Sequence, residues 1–136
     1  MSGLVVDASV SAAWLLPDEA TPYTEAVLQA TVDREVWVPA LWLLETGNLL
    51  LGAQRRKRID ATQRRELVMA ACALRLRVDR EPVSMAELDE LATSHSLSAY
   101  DAAYLELAIR RSLPIATLDA AMRKAMQAAR VELAVC

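Results

Sequence analysis

Four carboxylates interrupt apolar segments of the chain where an acid is not expected: Asp7, Glu45, Asp101 and Asp119. An unpaired carboxylate against apolar surroundings is costly to desolvate. If the four side chains lay together, their charges would repel one another, and some would stay protonated unless a cation balanced them. Hard divalent ions prefer such oxygen ligands, so the residue types predict a site for a divalent metal ion.

Two of these acids directly follow predicted strands. Asp7 comes after the apolar run 4–6, and Asp119 comes after the run 114–118. Ligands of open parallel sheets bind beyond the carboxyl ends of the strands, and we expect both acids at that edge. Asp101 falls in the first turn of a predicted helix, and Glu45 lies within another. Both side chains are expected to reach the same cleft.

Three of the acids also have an ordinary structural interpretation. Asp7 and Asp119 fit helix N-caps, and Asp101 fits the third position of a capping box opened by Ser98. Glu45 fits no cap, because its predicted helix is apolar all round and is therefore expected to be buried. No Lys or Arg lies within a turn of Glu45 to pair with it. One shared cation explains all four positions with a single cause.

Three polar residues are placed to support the acids. Ser9 and Thr117 each lie two residues from an acid, where a hydroxyl orients a carboxylate or a water molecule, or serves ordinary turn chemistry. Asn48 shares a helix face with Glu45. The single histidine, His95, lies in a predicted loop among serines and is given little catalytic weight.

Short apolar strands alternate with helices along all 136 residues. This alternation predicts one α/β domain over residues 1–136, a three-layer α/β/α sandwich with a mostly parallel central sheet. Strands are expected at 3–6, 35–38, 77–79, 114–118 and 131–135. Helices are expected at about 10–16, 21–31, 40–56, 60–74, 84–94, 98–111 and 119–128.

The net charge of −3 argues against general electrostatic attraction to nucleic acid, although one run is basic: Arg55, Arg56, Lys57 and Arg58. Such a run is either a solvated helix end or a local site for RNA phosphates. Two cysteines without metal spacing, and no signal-like segment or convincing membrane span, predict a cytoplasmic protein.

Four motifs together resemble PIN-domain ribonucleases, and specifically VapC-type toxins of bacterial toxin–antitoxin pairs. Their order and separations fit that family across essentially the whole chain, and the third is the most distinctive. The motifs are Val5-Val6-Asp7-Ala8-Ser9, Glu45-Thr46-Gly47-Asn48, the segment 97–108 (LSAYDAAYLELA) and Ala116-Thr117-Leu118-Asp119.

The resemblance implies that the four acids bind Mg²⁺ or Mn²⁺ and that the chain is an endoribonuclease cleaving single-stranded regions of RNA. Asp7 and Asp101 are the expected direct ligands, while Glu45 and Asp119 ligate directly or through water, and one of them acts as general base. The ion would activate the attacking water. The family also implies a homodimer and a cognate antitoxin that covers the active site.

Two apolar clusters flank the first two acids: residues 14–16 and 42–44. They predict a groove for an antitoxin segment or a dimer contact, or alternatively simple core packing. Two other classes of function remain open from the residues. One is a receiver-like module with a single Mg²⁺, although only Asp7 follows the first strand and Lys124 lies inside a helix. The other is a catalytically silent interaction module whose acids are caps.

Overall fold

A computed structural model describes residues 3–135, which form a parallel sheet covered by helices on both faces. Its four strands have the order β3-β2-β1-β4, and every neighbouring pair is parallel. The strands are β1 (Gly3–Val6), β2 (Glu35–Pro39), β3 (Leu76–Asp79) and β4 (Ile115–Ala116). The predicted α/β sandwich is confirmed.

Seven α-helices connect or follow these strands in the described part of the chain. They are α1 (Ala8–Leu15), α2 (Pro22–Ala30), α3 (Leu41–Arg55), α4 (Ala61–Ala73), α5 (Met85–His95), α6 (Ala99–Arg111) and α7 (Ala120–Ala129). A short 3₁₀ helix, Pro17–Glu19, follows α1. No helix within residues 3–135 is long and apolar enough to cross a membrane.

The core is divided between the two faces of the sheet, as the alternation of side chains along each strand requires. On one face Val5 and Val38 pack with the buried sides of α3, α6 and α7. On the other face Leu4, Val6 and Val36 pack with residues of α1 and α2. The sheet therefore has helical layers on both sides, and the strand order places β1 and β4 side by side.

Three sequence-based expectations about the elements were wrong. The strand expected at 114–118 is reduced to the two residues of β4, and the strand expected at 131–135 is only an isolated bridge between Leu133 and Ile115. Helix α3 is not buried all round, because Leu43 and Leu44 are exposed. Only one face of α3 enters the core, so an apolar composition was a poor guide to its burial.

A buried ion-pair network ties α6 to β3. The Asp79 carboxylate, 3% exposed, accepts hydrogen bonds from Arg110 at 2.7 Å and Arg111 at 2.8 Å. Arg110 also contacts the buried Glu106 at 2.8 Å, and the Arg111 guanidinium stacks 3.6 Å from the ring centroid of Trp37. These contacts hold Asp79 ionised: Arg110 foremost lowers the pKa of its carboxyl, despite burial. The network fixes the helix that carries Asp101.

Candidate metal-binding and active site

Asp7 is buried at the end of β1, where it is the N-cap of α1. Its Oδ1 accepts hydrogen bonds from the backbone N–H of Ser9 at 3.0 Å and of Val10 at 3.3 Å, and from the Ser9 hydroxyl. Its Oδ2 accepts from the Thr117 hydroxyl. Burial raises the pKa of the Asp7 carboxyl, and these donors offset part of the rise. The cap interpretation of Asp7 is confirmed, yet its charge remains poorly solvated.

The hydroxyls of Ser9 and Thr117 link the segment that follows β1 to the segment that follows β4. The Ser9 hydroxyl accepts from the Leu118 N–H at 3.1 Å, and the Thr117 hydroxyl accepts from the Asp119 N–H at 3.0 Å. Because both hydroxyls also donate to Asp7, one network sets the positions of the acid after each strand. This is the orienting role predicted for the two residues toward a carboxylate.

Asp101 and Asp119 lie at the N-terminal ends of two helices. Asp119 is the N-cap of α7, where its Oδ2 accepts from the Met122 N–H at 2.8 Å. Asp101 is in the first turn of α6, and its own N–H donates to the Ser98 hydroxyl at 3.0 Å. Burial foremost, and then the charge of Asp119, raises the pKa of the Asp101 carboxyl. The N-cap interpretation of Asp119 is confirmed. For Asp101 only half of the expected capping box is present within residues 3–135, because the Ser98 hydroxyl accepts from the Asp101 N–H while no bond returns from the Ser98 N–H to the Asp101 carboxylate.

Glu45 has a partner that the sequence pattern did not single out. The hydroxyl of Tyr104 on α6 donates to Glu45 Oε1 at 2.6 Å, across a separation of 59 residues. Burial raises the pKa of the Glu45 carboxyl, the Tyr104 hydrogen bond offsets part of the rise, and the charges of Asp101 and Asp7 add to it. The only sequence signal for this pairing is that Tyr104 lies one helical turn after Asp101, on the same side of α6.

The four acids therefore act on one another at one edge of the sheet. The charge of Asp119 raises the pKa of Asp101, and the charges of Asp101 and Asp7 raise the pKa of Glu45. No Lys or Arg charge contributes to the pKa shifts of the Asp7, Glu45 and Asp101 carboxyls. Oxygen donors with raised pKa values and no basic partner suit a hard divalent cation by their chemistry.

The side chains do not converge on a single point as they stand. Within residues 3–135, no group of three or more His, Cys, Asp or Glu side chains is arranged to hold a metal ion. Protein donors hydrogen-bond both oxygens of Asp7, one oxygen of Glu45 and one of Asp119. The four carboxylates suit a divalent ion by their chemistry and by their location at one edge of the sheet. Their side chains would have to move closer together when the ion binds.

The basic run lies at the C-terminal end of α3, as its helix-end interpretation predicted. Arg55, Arg56 and Lys57 are exposed. Arg58 is occupied, because one of its guanidinium nitrogens lies 2.9 Å from both Asp18 and Glu19. The run therefore offers three side chains to an outside partner more readily than the fourth.

An apolar groove borders Glu45 along α3. Its volume is about 720 Å³, and its wall includes Asn48, which is exposed, and Leu44 and Tyr100, which are 79% and 65% exposed. In the two apolar clusters at 14–16 and 42–44, three residues are buried in the core: Leu15, Leu16 and Trp42. The core-packing alternative thus holds for these three residues, whereas Leu43 and Leu44 are left at the surface.

Comparison with known proteins places this geometry in a family. The PIN domain family profile matches residues 4–126, a span that includes all four acids. The chain belongs to the PIN domain family. Its fold is similar to that in the crystal structure of PAE2754 from Pyrobaculum aerophilum, with a TM-score of 0.68 and 22% sequence identity over 90% of this chain and 79% of that one. No curated protein matches the chain in sequence.

PIN domains are generally nucleases that use divalent metal ions. The raised pKa values predict how this PIN domain behaves without metal. A carboxyl whose pKa is higher in the folded than in the unfolded state makes the folded state bind more protons. In EDTA, the free energy of unfolding is therefore expected to rise as the pH falls from 7 toward about 4.5, above the ordinary range of Asp and Glu. Asp79 acts in the opposite sense, but only below about pH 4, because its pKa is lowered.

Chemical denaturation at several pH values in EDTA would measure this slope. The double variant Glu45→Gln/Asp101→Asn is the control, and its stability should depend less on pH over the same range. Addition of Mn²⁺ should stabilise the wild-type protein more at pH 7 than at pH 5, because protons compete with the ion for the carboxylates. Equal pH dependence in the wild-type protein and the double variant would contradict the electrostatic coupling.

Proposed function

We propose that this PIN domain is a metal-dependent endoribonuclease that acts in the cytoplasm as the toxin of a type II toxin–antitoxin pair. The observation that carries the proposal is a set of carboxylates at the carboxyl edge of the sheet whose charges act on one another: those of Asp101 and Asp7 on Glu45, and that of Asp119 on Asp101. Asp7, Asp101, Glu45 and Asp119 would hold Mg²⁺ or Mn²⁺. When bound, such an ion lowers the pKa of water and neutralises charge on the phosphate.

Residues of the chain would orient the metal ligands and accept the proton of the attacking water. Ser9 and Thr117 fix the orientation of Asp7 before any substrate arrives. Glu45 or Asp119, each more accessible than Asp7, accepts the proton of the attacking water as general base. No protein nucleophile is needed, and the chemistry does not require the 2′-hydroxyl of the RNA. The leaving group is the 3′-oxygen, and the attack on phosphorus is in line.

Cleavage of pooled cellular RNA by the purified chain tests this function. Cutting in Mg²⁺ or Mn²⁺ that EDTA abolishes is the expected result. Neither cutting nor metal binding would instead support the interaction-module alternative, in which the acids serve only as the helix caps and first-turn residue seen in the structure. That alternative is favoured by one observation, the absence of a converged metal site within residues 3–135.

The groove beside Glu45 supports the partner part of the proposal. Exposed apolar side chains at its wall, Leu43, Leu44 and Tyr100, are costly to leave in water and suit an antitoxin segment or a second copy of the chain. A segment seated there would lie against Glu45 and close access to the acids. A chain that light scattering shows to be monomeric at full activity would count against the homodimer.

The basic run predicts a graded effect on RNA binding. Arg55→Gln should weaken binding to single-stranded RNA about equally for all sequences, and it should reduce the salt slope by about 0.7 for each phosphate that is no longer neutralised. Arg58→Gln should have a smaller effect, because Arg58 is already paired with Asp18 and Glu19. Fluorescence anisotropy in a salt series, in an Asp101→Asn background that does not cut the probe, would measure both.

Arg75→Gln is the matched control, since Arg75 is exposed and lies outside the basic run. An Arg55→Gln variant with the same salt slope as this control would show that the run is only a solvated helix end.

A further inference from the structure

The Tyr104 hydroxyl is the donor that fixes Glu45. Tyr104 is 1% exposed, and its ring packs in the core with Trp42 and Val38. A buried tyrosine hydroxyl needs a hydrogen-bond partner, and here the partner is the carboxylate of Glu45 at 2.6 Å. The ring is immobilised by packing, so the direction from which the hydroxyl approaches Glu45 is set by the core and not by solvent.

One turn of α6 carries Asp101 and also the tyrosine that hydrogen-bonds Glu45. Asp101 and Tyr104 are three residues apart, which places them on neighbouring positions of one helix face. Asp101 is itself one of the four acids, while Tyr104 reaches across to the acid on α3. The separation between Asp101 and the Glu45 side chain is therefore set by a rigid helical turn and one short hydrogen bond.

The hydrogen bond leaves half of the Glu45 carboxylate free. Tyr104 uses Oε1, and among residues 3–135 no hydrogen bond to Oε2 is found. A carboxylate held by one oxygen keeps a defined rotamer, with its second oxygen available to a cation or to a water molecule. Without the hydroxyl, a half-buried glutamate on an exposed stretch of helix would sample several rotamers.

We propose that Tyr104 is a positioning residue that holds Glu45 in the orientation needed to bind the divalent ion shared with Asp101. The inference rests on the proposed nuclease function and adds a residue to its machinery. Tyr104 does not touch the ion or the RNA. It acts through Glu45 alone, so its effect must vanish when Glu45 can no longer serve as a ligand.

Calorimetric titration of Mn²⁺ into the metal-free chain tests the inference. Tyr104→Phe keeps the ring and removes only the hydroxyl, and it should weaken Mn²⁺ binding by about 10–100-fold, the range for partners that orient a ligand. At saturating Mn²⁺, kcat for RNA cleavage should fall while KM for the RNA stays unchanged. Tyr23→Phe is the matched control, because the Tyr23 hydroxyl also makes a 2.6 Å hydrogen bond, to the Ala134 carbonyl outside the acid set.

A double-mutant cycle separates positioning from general structural support. Tyr104→Phe added to Glu45→Gln should cause no further loss of Mn²⁺ affinity, because the acid through which Tyr104 acts is already neutral. Losses that simply add, or a Tyr104→Phe variant that binds Mn²⁺ as the wild-type chain does, would overturn the inference and leave the proposed function standing. A wild-type chain that neither binds Mn²⁺ nor cuts RNA would overturn both.

Discussion

An Asp101→Asn variant is expected to fold normally and to lose RNA cleavage by more than about 100-fold, beyond the 10–100-fold range for residues that only orient a ligand. The substitution keeps the size of the side chain and the N–H that donates to the Ser98 hydroxyl, so α6 should begin as before. It removes one negative charge from a set in which Asp119 and Glu45 interact with that charge. Loss of activity would thus come from loss of the ion and not from loss of the fold.

The same variant separates a cation site from an ordinary acid in the first turn of a helix. In EDTA, Asp101→Asn should be at least as stable as the wild-type chain, because it relieves repulsion among unbalanced carboxylates. Loss of an ordinary first-turn acid, which interacts favourably with the N-terminal end of the helix dipole, would instead cost roughly 0.3–1 kcal/mol. Thermal unfolding in EDTA, beside single-turnover cleavage in Mn²⁺, measures both quantities. A variant that retains wild-type cleavage would remove Asp101 from the active site.

Asp79→Ala is expected to cost about 3 kcal/mol of folding free energy, the lower end of the range for removing one partner of a buried ion pair. The Asp79 carboxylate is 3% exposed, and its loss leaves Arg110 and Arg111 without their shared partner. The value belongs at the low end because the two arginine side chains remain 34% and 32% exposed, so that water can solvate them in the variant.

Urea denaturation of Asp79→Ala beside Glu35→Ala measures this cost against a matched surface pair. Glu35 contacts Arg77 at 2.9 Å, but both side chains are well exposed, and its loss should cost less than about 1 kcal/mol. The Asp79 contribution should be fully present above about pH 3.9, the ordinary Asp value, and should disappear as the pH falls through its lowered folded pKa. Equal costs for the two variants would show that the network adds little stability.

The fold was largely predictable, because strand and helix signals in this chain agree with their surroundings. Asp60 and Gln63 form a capping box at the start of α4, a helix expected from residue 60, and the Ser98 hydroxyl accepts a hydrogen bond at the start of α6. The errors arose where tertiary contacts decide. The chain after α7 makes only a bridge to β4. Leu44 on α3 is exposed because only one face of that helix enters the core, which an apolar composition does not reveal.

The positions of the four acids on the fold were predictable from the sequence, but their hydrogen bonds were not. Apolar runs ending in Asp7 and Asp119 indicated the carboxyl edge of the sheet, and both acids lie there. No Lys or Arg lies within a turn of Glu45, and its partner is a neutral tyrosine on another helix, which no local sequence pattern indicates. Asp79 also ends a strand, yet its charge is balanced by ion pairs with two arginines of α6. An acid at the end of a strand is therefore not by itself evidence of a metal ligand.

The most direct test of the divalent metal site is anomalous diffraction from a crystal of the wild-type chain grown with Mn²⁺. The strongest anomalous peak is expected within coordination distance of carboxylate oxygens of Asp7 and Asp101, with Glu45 or Asp119 as a further ligand directly or through water. Fully soaked crystals without a peak among these four acids, or with a peak only at other residues, would contradict the assignment of a divalent metal site to this edge of the sheet.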